Sequence, residues 1–401
     1  MAGFLETLRE RIVVFDGATG TNLQLRDLSA DDFGGPDLEG CNEILVATRP
    51  DVIADLHASF FAVGCDAVET DTFGAFPLVL TEYGVPERTF ELNETAARIA
   101  KETAYDFSTP DRPRWVVGSI GPGTRLPSLG QIPFTELRDG YELQVEGLLS
   151  GGVDVLLIET VYDLLQAKAA IIACRRAMSR VGRDVPLMVQ VTMETTGRML
   201  VGTEISAALT SLEALRPDVI GLNCATGPRE MTEHLRHLSH QAKTFLSCLP
   251  NAGLPSVVEG KTHYDLTPDE LAEAHDRFTS ELGVNIVGGC CGTTPEHLRR
   301  VVETVSGRAP TKREPAPEPG CSSIYTHVPF HQDVSFLVVG ERTNANGSRQ
   351  FRDAMLEGDW ETCTTVAREQ IREGAHVLDL CVDYVGRDGV ADMHELAGRF
   401  A

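Results

Sequence analysis

The chain has 401 residues, 42% hydrophobic and 23% charged, which is the composition of a globular protein with room for one large domain and an extension. Its 35 basic and 59 acidic residues leave a net charge of −24, which opposes non-specific attraction to nucleic acid or to an anionic membrane. No apolar run approaches the roughly 18 residues of a transmembrane helix, and the N-terminus mixes charges into its apolar residues where a secretory signal would not, so the expected compartment is the cytoplasm.

Eight short apolar, β-rich runs recur in chain order at 12–15, 67–70, 115–120, 153–158, 187–192, 219–222, 245–249 and 285–287. Each is followed by a turn and a longer amphipathic segment. Continuous apolar strands separated by helices predict a parallel sheet buried on both faces. Eight of them in about 300 residues predict an α/β fold of the (β/α)8 TIM-barrel kind. An open, doubly wound sheet is the alternative, and the lack of a GxGxxG turn after an early strand counts against it. Helices are expected to open at Pro50, with Val52, Leu56, Ser59, Phe60 and Val63 inward and Gly64 as the stop. Two more should open at Thr267, with Glu270 completing a capping box, and at Thr294.

The texture changes near Gly307. RAPTKREPAPEPG is proline-rich, mixed in charge and without apolar periodicity, and predicts an extended linker over 307–322. A second domain is expected over 323–401, with strands at 335–339 and 376–380, a polar GERTNANGS loop and a helical region at 353–374. A barrel needs about 250 residues. Two βα units read as the truncated start of a second, incomplete barrel, poorly packed alone. The first domain is then 1–306.

A (β/α)8 barrel keeps its active site at the C-terminal ends of its strands. Those ends carry Asp16-Gly17-Ala18, Glu69-Thr70-Asp71, Gly118-Ser119, Glu159-Thr160, Asn223-Cys224, Pro250-Asn251 and Gly289-Cys290-Cys291. The ten cysteines read as free thiols or metal ligands rather than as a disulfide framework. Cys65, Cys174 and Cys248 lie in apolar stretches and read as buried. Cys224, Cys290 and Cys291 fall on one rim, because strands six and eight are separated by a single strand. Three thiolates and an open fourth position suit a catalytic zinc. Spacing alone leaves a buried pair or a redox pair open, since there is no CxxC. Such a zinc would hold a substrate thiol as an electron-rich thiolate, which favours alkyl transfer to sulfur over hydrolysis. Asp16 and Glu159 are candidates to grip an ammonium group, and the Gly17-Ala18 amides a carboxylate. Taken singly, each acid reads equally as a cap or a salt bridge. Together these groups describe an amino-acid thiol.

In this order, DGATGT, ETDTF, GSIGP, the IET segment, GLNCATGP, PNAGLP and GGCCGTTPEH resemble the homocysteine-binding domain of the cobalamin-dependent methionine synthase family, over roughly residues 10–305. The resemblance implies zinc held by Cys224, Cys290 and Cys291, with L-homocysteine contacts at Asp16, Gly17, Ala18 and Glu159. It adds Asn251 as a weak zinc ligand in the absence of substrate. VGERTNANGS and AHVLDL resemble the start of the pterin-binding barrel of the same family, which implies a methyltetrahydrofolate pocket near Glu341, Thr343, Asn344 and Asp379. Cys381 and Tyr384 depart from that family's Asp-x-Asn-x-Asp-Glu pattern, and Asp71 stands where Asn is more familiar. The implied reaction is methyl transfer to homocysteine, giving methionine. Its donor is methylcobalamin recharged by methyltetrahydrofolate, with the cobalamin-binding and reactivation modules and the rest of the folate module expected outside these residues. A betaine- or S-methylmethionine-dependent relative should lack the GERTN segment. A zinc-storing or redox-sensing thiol protein would leave Asp16 and Glu159 unexplained.

Overall fold

The computed structural model describes residues 3–258 and 261–400. It separates into two compact units, Met1–Pro317 and Glu318–Ala401.

The first unit is an eight-stranded parallel sheet rolled nearly into a closed barrel. Its strands are β1 (Val13–Val14), β2 (Ala67–Glu69), β3 (Trp115–Ile120), β4 (Val155–Val161), β5 (Leu187–Val191), β6 (Val219–Asn223), β7 (Phe245–Leu249) and β8 (Ile286–Val287). The hydrogen-bonded order is β1-β8-β7-β6-β5-β4-β3-β2. Alternation along the strands divides the apolar residues into two layers. Val13, Phe15, Ala67, Trp115, Val117, Val155, Leu157, Met188, Val219, Leu249 and Ile286 fill the interior, which Phe4 and Leu8 of the N-terminal helix plug from below. The next residues along, such as Val14, Val68, Val116, Leu156, Ile158 and Ile220, pack outward against the helices. The helix expected at Pro50 runs Pro50–Ala62 and buries Val52, Leu56 and Phe60, with Ile53, His57 and Phe61 alongside. Thr267 and Glu270 form the capping box that opens Pro268–Glu281. A short antiparallel pairing of Ser256–Val258 with Lys261–His263, between β7 and β8, has no counterpart in the sequence reading.

One device recurs below the barrel. The residue before each even-numbered strand is Asp66, Asp154, Asp218 or Asn285. Its side-chain oxygen accepts the backbone N–H of Val14, Val116, Leu187 or Leu246 on the preceding odd-numbered strand, at 2.8–3.0 Å. Two residues earlier stand Gly64, Gly152, Arg216 and Gly283, all at positive φ. Arg216 takes, at φ 52°, a conformation that disfavours a Cβ.

β1 and β2 share no ladder among the described residues. Their junction holds one backbone bond, Asp66 N–H to Val14 O at 2.7 Å, and two carboxylate staples. Asp66 accepts Val14 N–H at one end. Asp16 accepts Glu69 N–H at the other, at 3.2 and 3.1 Å to its two oxygens.

The proline-rich segment forms no helix or strand before Gly320. Much of it is nevertheless tied to the first unit. Arg308 O accepts Ile12 N–H, Ala316 N–H donates to His240 O, and the Arg313 guanidinium donates to the carbonyls of Ser239, Ala242 and Thr244.

The second unit has a two-stranded parallel sheet, β9 (Val339–Asn344) with β10 (Val377–Cys381), and three helices, Arg349–Glu357, Trp360–Arg372 and Gly389–Phe400. Its core is small, built on Phe351, Met355, Cys363, Val366, Val382 and Leu396. No helix among the described residues is long and apolar enough to cross a membrane.

Candidate active site at the barrel mouth

The inward positions change character near the C-terminal ends of the strands. Above Val117, Leu157 and Gly221 stand Ser119, Glu159 and Asn223, each two residues further on. Ser119 Oγ donates to Glu159 Oε1 at 2.5 Å, and Asn223 Nδ2 donates to Glu159 Oε2 at 3.1 Å. Asn223 is itself fixed, because its Oδ1 accepts Thr160 N–H at 2.8 Å. Thr160 sits at φ 55°, within a register irregularity of β4. Glu159 is thus held by two neutral donors, and among the described residues no cation pairs with it. Burial drives its pKa up to about 7, with the Cys291 charge adding to the effect.

Asp16 and Glu69 complete an acidic arc. Asp16 is buried at 2% exposure; burial raises its pKa well above the ordinary carboxylate range, and Glu159 pushes the same way. Glu69 is also raised, by burial first and then by Glu159 and Asp16, and its Oε1 has no hydrogen-bond partner. These three buried carboxyls have no counter-charge among the described residues, an electrostatic setting that a cation would relieve.

The sulfurs of Cys224, Cys290 and Cys291 lie within 4.8 Å of one another, and all three residues are partly exposed. The Cys224–Cys291 sulfur distance is 4.0 Å. Cys224 and Ala225 follow β6 at φ 59° and 56°. Such left-handed conformations cost roughly 1–2 kcal/mol per residue, and they turn the thiol over the mouth. Thr226 N–H to Cys224 O, at 2.7 Å, holds the turn. Cys290 N–H donates to Pro250 O and Ala252 N–H donates to Cys291 O, so the loops after β7 and β8 brace each other. Hydrogen bonds from Cys224 and Cys290 hold Cys291 well below the usual thiol range. Hydrogen bonding to Cys224 and then to Cys291, together with burial, pushes Cys290 up. The trio shares its protons because three thiolates this close repel without a cation. Asn251 Oδ1 is buried and unpartnered in the adjoining loop. Three soft sulfur donors at the mouth, beside an orphaned amide oxygen, fit a zinc ion.

Gly17 and Ala18 lie on the β1 loop. A Cβ on Gly17 would meet Thr293, Leu298 and Phe60. The Ala18 N–H is already given to Thr293 Oγ1 at 3.2 Å. Sequence reading did not single out Ser119, Asn223 or Thr293 as site residues. Strand alternation carries the signal for the first two, since both share the inward face with Glu159.

In the second unit, Thr343 and Asn344 meet Asp379. Thr343 Oγ1 donates to Asp379 O at 2.5 Å, and Asn344 Nδ2 donates to Asp379 Oδ2 at 2.9 Å. Glu341 is exposed on β9 and makes no hydrogen bond to them. Asn346 Nδ2 lies 3.8 Å from Cys381 Sγ and donates to Asp383 O at 3.0 Å, so Cys381, one of the two departures from the family pattern, is a loop contact.

A thiol triad and an acidic arc on one barrel mouth define a sulfur-handling (β/α)8 protein, and residues 13–305 match the profile of the homocysteine S-methyltransferase family, to which the chain belongs. Residues 340–401 match that of the pterin binding enzymes. The chain is 54% identical over 397 residues to the methionine synthase of Mycobacterium tuberculosis and 52% identical over 402 residues to that of Mycobacterium leprae. Each comparison covers 99% of this chain and 33% of the relative, so the chain spans about a third of their length. Among solved structures, the metallated homocysteine methyltransferase MmuM from Escherichia coli superposes with a TM-score of 0.59 at 21% identity, covering 73% of this chain and 96% of that one. That likeness establishes the barrel fold.

Proposed function

We propose that the barrel mouth binds zinc through Cys224, Cys290 and Cys291 and presents the sulfur of L-homocysteine for methylation to methionine. The observation that carries this reading is the meeting of three sulfurs within 4.8 Å, on the same rim as the buried acids Asp16 and Glu159. Zinc bound by three thiolates lowers the pKa of an incoming thiol and keeps its sulfur electron-rich. Asp16 and Glu159 take the substrate ammonium, which supplies the positive charge their site lacks. Ser119 and Asn223 keep the Glu159 carboxylate aimed inward. The Gly17–Ala18 turn receives the substrate carboxylate through the Gly17 N–H, since the Ala18 N–H is given to Thr293 Oγ1, and Asn251 serves as a weak zinc ligand when substrate is absent. The methyl donor is methylcobalamin, recharged by methyltetrahydrofolate. Two things support the choice of donor: the resemblance of residues 340–401 to pterin-binding enzymes and the likeness of the whole chain to methionine synthases. On the second unit, Thr343, Asn344 and Asp379 are the folate-facing candidates, with Glu341 exposed beside them.

The test is zinc content together with a homocysteine titration, on the chain and on Cys290→Ala. Stoichiometric zinc, lost in the variant, and a proton released as homocysteine binds are the expected results. Full zinc retention in the variant, or homocysteine binding without zinc, would overturn the ligand assignment and favour a redox role for the cysteine pair.

A further inference from the structure

The loops that follow β1 and β8 are stitched together around one buried side chain. Thr293 is 0% exposed. Its Oγ1 donates to Cys290 O at 2.6 Å and accepts Ala18 N–H at 3.2 Å. Its carbonyl accepts Asn22 Nδ2 at 2.8 Å, and the same amide group donates to Ala18 O at 2.6 Å. Gly289 N–H donates to Asp16 O at 3.0 Å, and Gly292 N–H donates to Thr21 Oγ1 at 3.3 Å. A Cβ on either Gly17 or Gly289 would collide with the Thr293 side chain. Neither glycine has a positive φ, so close approach, not backbone conformation, is what calls for glycine at both places.

The geometry points to Thr293 as a positioning residue that locks the substrate-gripping β1 loop to the sulfur triad. Its hydroxyl bonds the Ala18 N–H and the Cys290 carbonyl at once, and with the Asn22 and Gly289 bonds it gives the Asp16–Ala18 turn and the Cys290 turn a single relative placement. A ligand held at both ends, by its amino-acid head and by its sulfur, needs that placement. A ligand held only by its sulfur does not. This inference rests on the proposed homocysteine site. It adds that the advantage of homocysteine over a plain alkanethiol passes through the Thr293 hydroxyl.

The experiment compares the zinc-loaded chain with Thr293→Val, which keeps the shape and removes the hydroxyl, and with Thr293→Ser, which keeps the hydroxyl. Binding of homocysteine and of propane-1-thiol is followed by proton release, with zinc content measured in parallel. The expected result for Thr293→Val is homocysteine binding weakened about tenfold, as for loss of a buried hydrogen-bonding group. Propane-1-thiol binding should change by less than about twofold, with zinc retained, and Thr293→Ser should restore homocysteine binding. Equal weakening for both thiols, or zinc loss in Thr293→Val, would reduce Thr293 to a structural support of the metal turn and overturn the inference. Unchanged homocysteine binding would overturn it as well. If the unsubstituted chain binds neither zinc nor homocysteine, the functional reading itself fails and takes this inference with it. That result is separate, because it is read before any variant is compared.

Discussion

The two ends of the barrel use the same chemical group to opposite effect. At the lower end, Asp66, Asp154 and Asp218 each accept a backbone N–H from the neighbouring strand. Asp66 also meets Arg11, Arg112 and Arg114, and Asp154 meets Lys101. At the upper end, Asp16, Glu69 and Glu159 face one another with no cation, and their pKa values rise. A satisfied buried carboxylate holds the fold together. One that lacks a counter-charge stores electrostatic free energy that a cationic ligand can release, even where neutral donors hold it. A counter-charge, not residue type, separates the two ends, and Asp16 shows both roles: it fastens the Glu69 N–H yet meets no cation among the described residues.

The largest expected effect is at the lower end. Asp66→Ala removes the carboxylate shared by three guanidinium groups, which keep only the carbonyls of Ile12, Gly64 and Cys65, and leaves the Val14 N–H without its acceptor; it should destabilise the barrel by about 3–5 kcal/mol in a denaturant melt. A loss under about 1 kcal/mol would mean that the lower acids are dispensable. Next comes Glu159→Gln, which should stabilise the ligand-free barrel. The folded pKa of Glu159, about 7, lies above the ordinary 4.5. The native state therefore holds the proton more tightly, and stability falls as pH rises between those values. The gain from Gln should be absent below about pH 4.5 and reach roughly 2–3 kcal/mol above pH 7, while homocysteine binding weakens. A melt showing the same gain at pH 4 and pH 8 would break the contrast between the ends. The smallest effect should be Asp218→Asn. Asn285 already does the same work before β8, so an amide oxygen suffices, and the cost should stay under about 1 kcal/mol by the same melt. A larger loss would show that the lower end depends on charge as well as on geometry.

Much of this architecture can be read from the residues. Strands buried on both faces are continuous apolar runs, and β3 and β7 begin and end where those runs do. β1 and β8 shrink to two residues each. Phe15 and Asn285 lie just beyond them and still bond to the neighbouring strands, Phe15 N–H to Val287 O and Asn285 N–H to Leu246 O. No apolar pattern encodes where a ladder stops. The gathering of Cys224 with Cys290 and Cys291 follows from strand order alone. The Thr293 clasp does not, because it joins positions 275 residues apart through one hydroxyl, and threonine after a Gly-rich turn reads equally well as a helix cap. The proline-rich segment reads as a spacer because proline removes donors. The N–H groups of Thr311 and Ala316 and the Arg313 guanidinium still find carbonyls on the barrel.

The junction between β1 and β2 has a mechanical consequence. Around the rest of the hoop, neighbouring strands are laced by ladders, so a change in circumference concentrates where the lacing is a single backbone bond and two carboxylate staples. One of those staples is Asp16, at the mouth. A ligand that draws on its oxygens also draws on the Glu69 amide they fasten. In the proposed site, the oxygens that would hold the ligand are thus the same ones that fasten β2 to β1 at the mouth.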